Sequence, residues 1–184
     1  MTNPRALVVS GPAGSGKSTL AAALAARSGA ALLDLDVLTN PLVSVVAGLV
    51  GAGDDIDHPQ LRALVRDARY AVLLDAAEAQ LGVGLDVVIA APFTAEVASA
   101  DAWNAARDRL VAAGAGAVSL IWLQASAPLL VDRITRRGEP RDRAKLEQAQ
   151  QFLGELRPPA VPVVAIDAAL RLDDQVAAVL SALG

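Results

Sequence analysis

No cysteine occurs in the sequence, which excludes disulfides and thiolate metal sites and fits a reducing compartment. Aromatic residues are scarce as well, 3% of the chain against 54% hydrophobic residues in total. The core therefore has to be assembled from Ala, Val, Leu and Ile. Basic charge is in short supply: 16 Lys and Arg face 20 Asp and Glu, for a formal net charge of −4. A general nucleic-acid binder needs basic surface to neutralise phosphates, and the charge balance points away from that class. A targeting signal is missing from the first residues, because Met1-Thr2-Asn3-Pro4-Arg5 lacks a basic run followed by an apolar stretch. One uncharged run, Leu110 to Val131, has the length of a membrane span. Gly114 and Gly116 break it, Gln124 and Ser126 are polar, and Pro128 follows, so it reads as a helix end, a buried strand and a new helix start. The expectation is one cytoplasmic domain of 184 residues, monomeric or homodimeric, with neither membrane nor nucleic acid as partner.

What is present is an alternation of short apolar runs and helical segments. Arg5 to Ser10, Ala30 to Asp34, Leu85 to Ala91, Ala117 to Gln124 and Val161 to Ile166 read as five strands, apolar throughout. Between them, helices are predicted from Gly16 to about Ser28, from Asn40-Pro41 to about Gly48, from His58-Pro59 to Gly82 or Gly84, over roughly 98–113, from Ser126-Ala127-Pro128 onward, and from Asp173 to Leu183. Asn40 followed by Pro41 has the chemistry of an N-cap and first helical position. Alternating strands and helices, with strands buried on both faces, define an α/β domain with a parallel sheet covered on both sides.

The octapeptide Gly11-Pro12-Ala13-Gly14-Ser15-Gly16-Lys17-Ser18 satisfies G-x-x-x-x-G-K-[ST] between a predicted strand and a predicted helix, the context that makes this P-loop pattern specific. Glycines let the backbone of Gly11, Ala13, Gly14, Ser15 and Gly16 wrap closely, so that amide N–H groups point at phosphate oxygens. The helix beginning near Gly16 adds its positive end. Lys17 is expected on the β- and γ-phosphates, the Ser18 hydroxyl on Mg2+, and Thr19 on the α-phosphate. ATP and magnesium are the expected cofactors.

Asp34 and Asp36 stand at the end of the second strand, the edge where open α/β sheets bind ligands. A D-x-D pair there can divide labour between the metal shell and an acceptor hydroxyl; it also fits a strand-end turn with solvated carboxylates. Arg62, Arg66 and Arg69 share one helix face, either binding an anionic group or forming a solvated face. Phe93 and Thr94 follow the third strand and are candidates for a pocket wall or for loop filling. Trp103 and Trp122 read as packing residues, and His58 as a helix-start residue. The segment from Arg133 to Lys145 carries Arg133, Arg136, Arg137, Arg141, Arg143 and Lys145 across a Gly138–Pro140 break. It reads as a cationic flap able to neutralise a moving phosphoryl charge.

On these residues, the P-loop from Gly11 to Ser18, the Asp34-x-Asp36 pair and the Arg133–Lys145 lid, the chain resembles the small P-loop kinases. That group includes shikimate and gluconate kinases, chloramphenicol phosphotransferase and nucleoside-monophosphate kinases, and the chain is also similar to AAA family ATP-binding proteins. The resemblance implies a P-loop NTPase three-layer sandwich with a five-stranded sheet in the order 2-3-1-4-5. It implies a single kinase domain over 1–184, with an acceptor region about 37–70 and a lid about 133–147. It assigns Asp34 and Ser18 to magnesium, and Asp36 to the phosphoryl acceptor. Arg133, Arg137 and Arg141 become lid arginines near the phosphates, with Lys17, Asp36, Arg133 and Arg137 as the catalytic set. On the reading of the residues themselves, Arg62, Arg66, Phe93 and Thr94 join Asp34 and Asp36 on the acceptor side. The implied activity is transfer of the ATP γ-phosphoryl group to a hydroxyl of a small metabolite or natural product. A nucleoside or nucleotide kinase, with the arginine row on the acceptor's phosphate, is the alternative within enzymes. A regulatory ATPase is the alternative outside them, because the third strand lacks the carboxylate many relatives carry there.

Overall fold

The computed structural model describes residues 3–52, 58–138, 146 and 149–184. Five parallel strands form one sheet in the order β2-β3-β1-β4-β5: β1 Arg5–Ser10, β2 Ala31–Asp34, β3 Val87–Ala90, β4 Ala117–Gln124 and β5 Val164–Asp167. The register sets Val9 beside Ala90, and Ala90 beside Asp34. On the other side Ser10 lies beside Trp122, and Gln124 beside Asp167. The helices are α1 Lys17–Ser28, α2 Leu35–Leu49, α3 Pro59–Gly82, α4 Thr94–Ala98, α5 Ala100–Ala112, α6 Ala127–Arg137, α7 Ala149–Glu155 and α8 Leu172–Leu183. None of those described is long and apolar enough to cross a membrane.

Successive strand side chains point to opposite faces, and both faces are buried. Val8, Val87, Ile89 and Leu120 pack against Leu73, Ala77 and Leu81 of α3 and Trp103 and Leu110 of α5. Val9, Val88, Ile121 and Leu123 pack against Leu20 and Leu24 of α1 and Val179 of α8. The result is helix, sheet, helix, with an aliphatic core that needs few aromatics. Trp103 is buried within it, and Trp122 is half-buried against its edge. A smaller cluster, Val43 and Ala47 against Leu61 and Val65, joins α2 to α3.

The second helix departs from expectation. It begins at Leu35 rather than Pro41, because the Asp34 side chain caps it, accepting from the backbone N–H groups of Asp36 at 2.9 Å and Val37 at 3.3 Å. A carboxylate at the N-cap satisfies otherwise orphaned donors and suits the positive helix end. Pro41 then falls inside the helix. The helix expected over 98–113 is preceded by the separate five-residue α4, and Ser99 caps α5 by accepting from Ala102 N–H. The fifth strand starts at Val164, three residues later than the apolar run suggests.

Candidate active site

The turn from β1 into α1 brings the P-loop to the carboxyl edge of the sheet. Ser10 Oγ donates to Pro92 O at 2.7 Å, tying the ends of β1 and β3 together beneath it. Gly14 has φ +81°, and a Cβ there would lie 2.9 Å from Ile134 Cγ1, so α6 packs directly on the loop. Gly16 caps α1 in the left-handed region at φ 100°, which only glycine adopts without strain. The first helical bond of α1 runs from Leu20 N–H to Gly16 O. The amides of Lys17, Ser18 and Thr19 therefore precede it and have no carbonyl within the helix. Lys17 lies across the loop with Nζ donating to Pro12 O at 2.9 Å, while Ser18 and Thr19 are exposed. Backbone donors, a helix start and an ammonium thus meet in one loop, the chemistry that holds a polyphosphate.

Arg133 reaches this loop from α6. Its Nη1 donates to Ser15 O and its Nη2 to Ala168 O, both at 2.8 Å. The guanidinium therefore bridges the P-loop and the segment after β5. Beside it opens a cavity of ≈230 Å³ lined by Ser15, Gly16, Thr19, Arg133, Leu170, Leu172 and Gln175. Arg137 is exposed in the last turn of α6. Arg141 lies outside the described residues, as does most of the expected lid. Another cavity, ≈100 Å³, sits at the opposite edge of the sheet between Arg5, Asp86 and Leu180, away from the phosphate-binding backbone.

On the β2 side, Asp34 is 7% exposed and level with Val9, two strand spacings or about 10 Å away across the sheet. Ala90 occupies the intervening position on β3. Asp36, on the first turn of α2, accepts from Arg69 Nη2 at 2.8 Å. The same Nη2 donates to Asn40 Oδ1 at 2.8 Å, and Arg69 Nε donates to Thr39 Oγ1 at 2.7 Å. Arg69 thus fixes the first two turns of α2 from α3. The residue was visible as the third member of the arginine row, but its partners were not, since they lie 29 to 33 positions away in the chain.

The other arginines of that row behave differently. Arg62 is exposed. Arg66 stacks over the Tyr70 ring at 4.6 Å and pairs with Glu96 at 3.5 Å. Phe93 is 1% exposed, meets Tyr70 edge to face at 5.3 Å, and donates its backbone N–H to the Tyr70 hydroxyl at 2.9 Å. Its side chain therefore belongs to the core under the β3 end, whereas Thr94 is exposed at the start of α4. Burial, with the Glu96 charge adding to it, pushes the Tyr70 hydroxyl pKa up to about 12.

Among the described residues no group of three or more His, Cys, Asp or Glu forms a metal cluster. Magnesium does not require one: it keeps several waters and takes one or two protein oxygens alongside substrate phosphates. The exposed Ser18 hydroxyl at the cradle and the Asp34 carboxylate at the neighbouring edge are hard oxygen donors of that kind.

The family model described as AAA domain matches residues 7–159. No curated protein matches the chain. A gluconokinase from Sinorhizobium meliloti 1021 is similar at 25% identity and a TM-score of 0.59, covering 100% of this chain and 93% of its own. A putative kinase from Chloroflexus aurantiacus j-10-fl reaches a TM-score of 0.70 at 21% identity and covers 98% of each chain. An APS kinase from Mycobacterium tuberculosis, solved with AMPPNP and APS, has a TM-score of 0.59 at 21% identity, covering 100% of this chain and 99% of its own. The last two speak for the fold.

Proposed function

Because the chain belongs to the AAA domain family and has the fold of P-loop kinases of small molecules, we propose that it transfers the γ-phosphoryl group of ATP to a hydroxyl of a small metabolite or natural product. The observation that carries this reading is a complete P-loop sharing the sheet's carboxyl edge with a carboxylate, Asp36, whose orientation Arg69 fixes. A pure nucleotide binder has no need of that oriented acid.

In the proposed reaction the acceptor oxygen attacks the γ-phosphorus in line. The bond from phosphorus to the β–γ bridging oxygen breaks, and its electron pair leaves with ADP. The hydroxyl proton passes to Asp36, which also orients the acceptor. A carboxylate is a weak base at neutral pH, so most of the rate comes from positioning and electrostatics, as is usual for phosphoryl transfer. Lys17 and Arg137 oppose the charge that builds on the transferring group. Arg133, already bonded to Ser15 O and Ala168 O, is assigned to the nucleotide beside the 230 Å³ cavity, with Arg141 a further lid candidate. The P-loop residues Gly11 and Ala13 to Thr19 hold the phosphates. Ser18 and Asp34 would hold magnesium, which when bound neutralises phosphate oxygens. The acceptor region is assigned to about 37–70, with Thr94 at its rim and Phe93 supporting it from beneath, and the lid to about 133–147.

Arg66 and Arg69 already face Glu96 and Asp36 of their own chain, which weighs against an acceptor whose phosphate needs the arginine row. Ala90, in place of a third-strand acid, favours the regulatory ATPase as the second reading. The test is incubation with ATP, magnesium and a pooled library of hydroxyl compounds, read by mass spectrometry. A product heavier by one phosphoryl group, missing with Lys17→Ala, is expected. Asp36→Asn should lose about 10²–10⁴-fold in rate while still binding ATP. ADP formation without any phosphorylated compound would select the regulatory reading instead.

A further inference from the structure

Gln175 is one of few buried polar side chains among the described residues, 6% exposed, and it lines the cavity beside the P-loop. Burying an amide is costly unless its groups are bonded. Its Nε2 donates to Leu170 O at 2.8 Å and Ala168 O at 3.3 Å. Both partners are carbonyl oxygens, which only accept, so the nitrogen must face them and the amide orientation is settled by chemistry. The oxygen Oε1 is thereby turned to the other side as an acceptor. No described group donates to it, and it is not sealed from solvent.

The rest of the cavity suits a flat heterocycle. Leu170 and Leu172 give it apolar surface, and Gly16 and Thr19 connect it to the phosphate cradle. Arg133 brings a planar guanidinium, held by Ser15 O and Ala168 O, of the kind that stacks on rings. A fixed acceptor in such a wall distinguishes bases by their edge.

We propose that Gln175 is the residue that selects adenine: Oε1 accepts a hydrogen bond from the 6-amino group, and a 6-oxo purine in the same pose sets two acceptors against each other. This rests on the nucleotide site proposed above and gives that site its base specificity. Because Ala168 O is shared by Gln175 and Arg133, the reading oxygen and the stacking cation are anchored to the same short segment after β5.

The test measures binding alone, by displacement of a fluorescent ADP analogue, so it needs no acceptor. The probes are ATP, purine riboside triphosphate without the 6-amino group, and inosine and guanosine triphosphates with a 6-oxo group. The wild type should hold ATP about tenfold more tightly than the 6-unsubstituted probe, and the 6-oxo probes more weakly still. Gln175→Leu should bring all four to within about threefold. Since leucine also drops the two loop bonds, Gln175→Lys is the companion: its ammonium can donate to Ala168 O and Leu170 O but accepts nothing. It should abolish the preference for ATP, with retained binding of the fluorescent ADP analogue reporting that the fold and the phosphate site are intact. Equal affinity of the wild type for all probes, or a preference that survives in Gln175→Lys, would overturn the assignment to Gln175 and leave the phosphate site standing. Absence of binding by every triphosphate would overturn both.

Discussion

At the scale of the residue, Phe93 and Tyr70 are a mutually dependent pair. Phe93 has φ 45°, a left-handed conformation uncommon for a bulky side chain and costing about 1–3 kcal/mol. It is sustained by full burial and by the bond from its N–H to the Tyr70 hydroxyl. That hydroxyl titrates near 12 in the fold against about 10 when unfolded. Below pH 10 both states keep the proton and the stabilisation is complete. Between about pH 10 and 12 only the native state keeps it, so stability falls through that window, by about 2–3 kcal/mol in all. Tyr70 is the chain's only tyrosine, so tyrosinate absorbance reports it directly. A midpoint near 12 is expected in buffer and near 10 in denaturant. Titration near 10 in the folded protein would contradict the burial account. Tyr70→Phe should remove this alkaline loss, at a cost of about 1–3 kcal/mol at neutral pH for the unpaired Phe93 N–H.

At the scale of the element, α2 shows where local sequence and tertiary context part. Asn40-Pro41 has the local chemistry of a helix start, yet Asn40 gives its side-chain oxygen to Arg69 and the helix begins six residues earlier under Asp34. The P-loop was legible because its contacts lie within one octapeptide, and β1 and β4 because a mostly apolar run between turn residues admits one reading. The other half of the site was not, because its bonds join distant segments. Arg69 to Asp36 spans 33 positions and Arg133 to Ser15 spans 118, and no periodicity reports such pairs. Gln175 had no motif to mark it at all. The cap that Asp34 provides and its proposed role toward magnesium are separable by substitution. Asp34→Ala should cost about 1 kcal/mol in urea unfolding through loss of the cap, whereas Asp34→Asn, still an acceptor, should cost much less. Phosphoryl transfer should fall in both if the carboxylate serves magnesium. Full transfer by Asp34→Asn would remove that role.

At the scale of the whole molecule, the sheet edge collects much of what the proposed chemistry uses. The P-loop follows β1, Asp34 ends β2 and Asp36 follows it in α2, Pro92 and Phe93 follow β3, and Ala168 and Leu170 follow β5. The strands beneath are buried on both faces, whereas α2 exposes Val37, Leu42, Val45 and Leu49 and rests on a small cluster. Hydrogen exchange should accordingly be slowest for residues 5–10, 87–90 and 117–124, opening only with global unfolding, and faster across 35–49 by sub-global opening. Equal protection of α2 and the central strands would mean that the helical pair unfolds with the sheet. The strand order also bears on how the chain is made. Of the five strands β1 leaves the ribosome first, but its neighbours β3 and β4 arrive only with residues 87–90 and 117–124. The phosphate cradle therefore precedes in the chain the strands that seat it, and it cannot be seated until residue 124 has emerged. Over that interval the nascent Ala6-Leu7-Val8-Val9 segment is an unpaired apolar strand, the kind of client that chaperones at the tunnel exit shield.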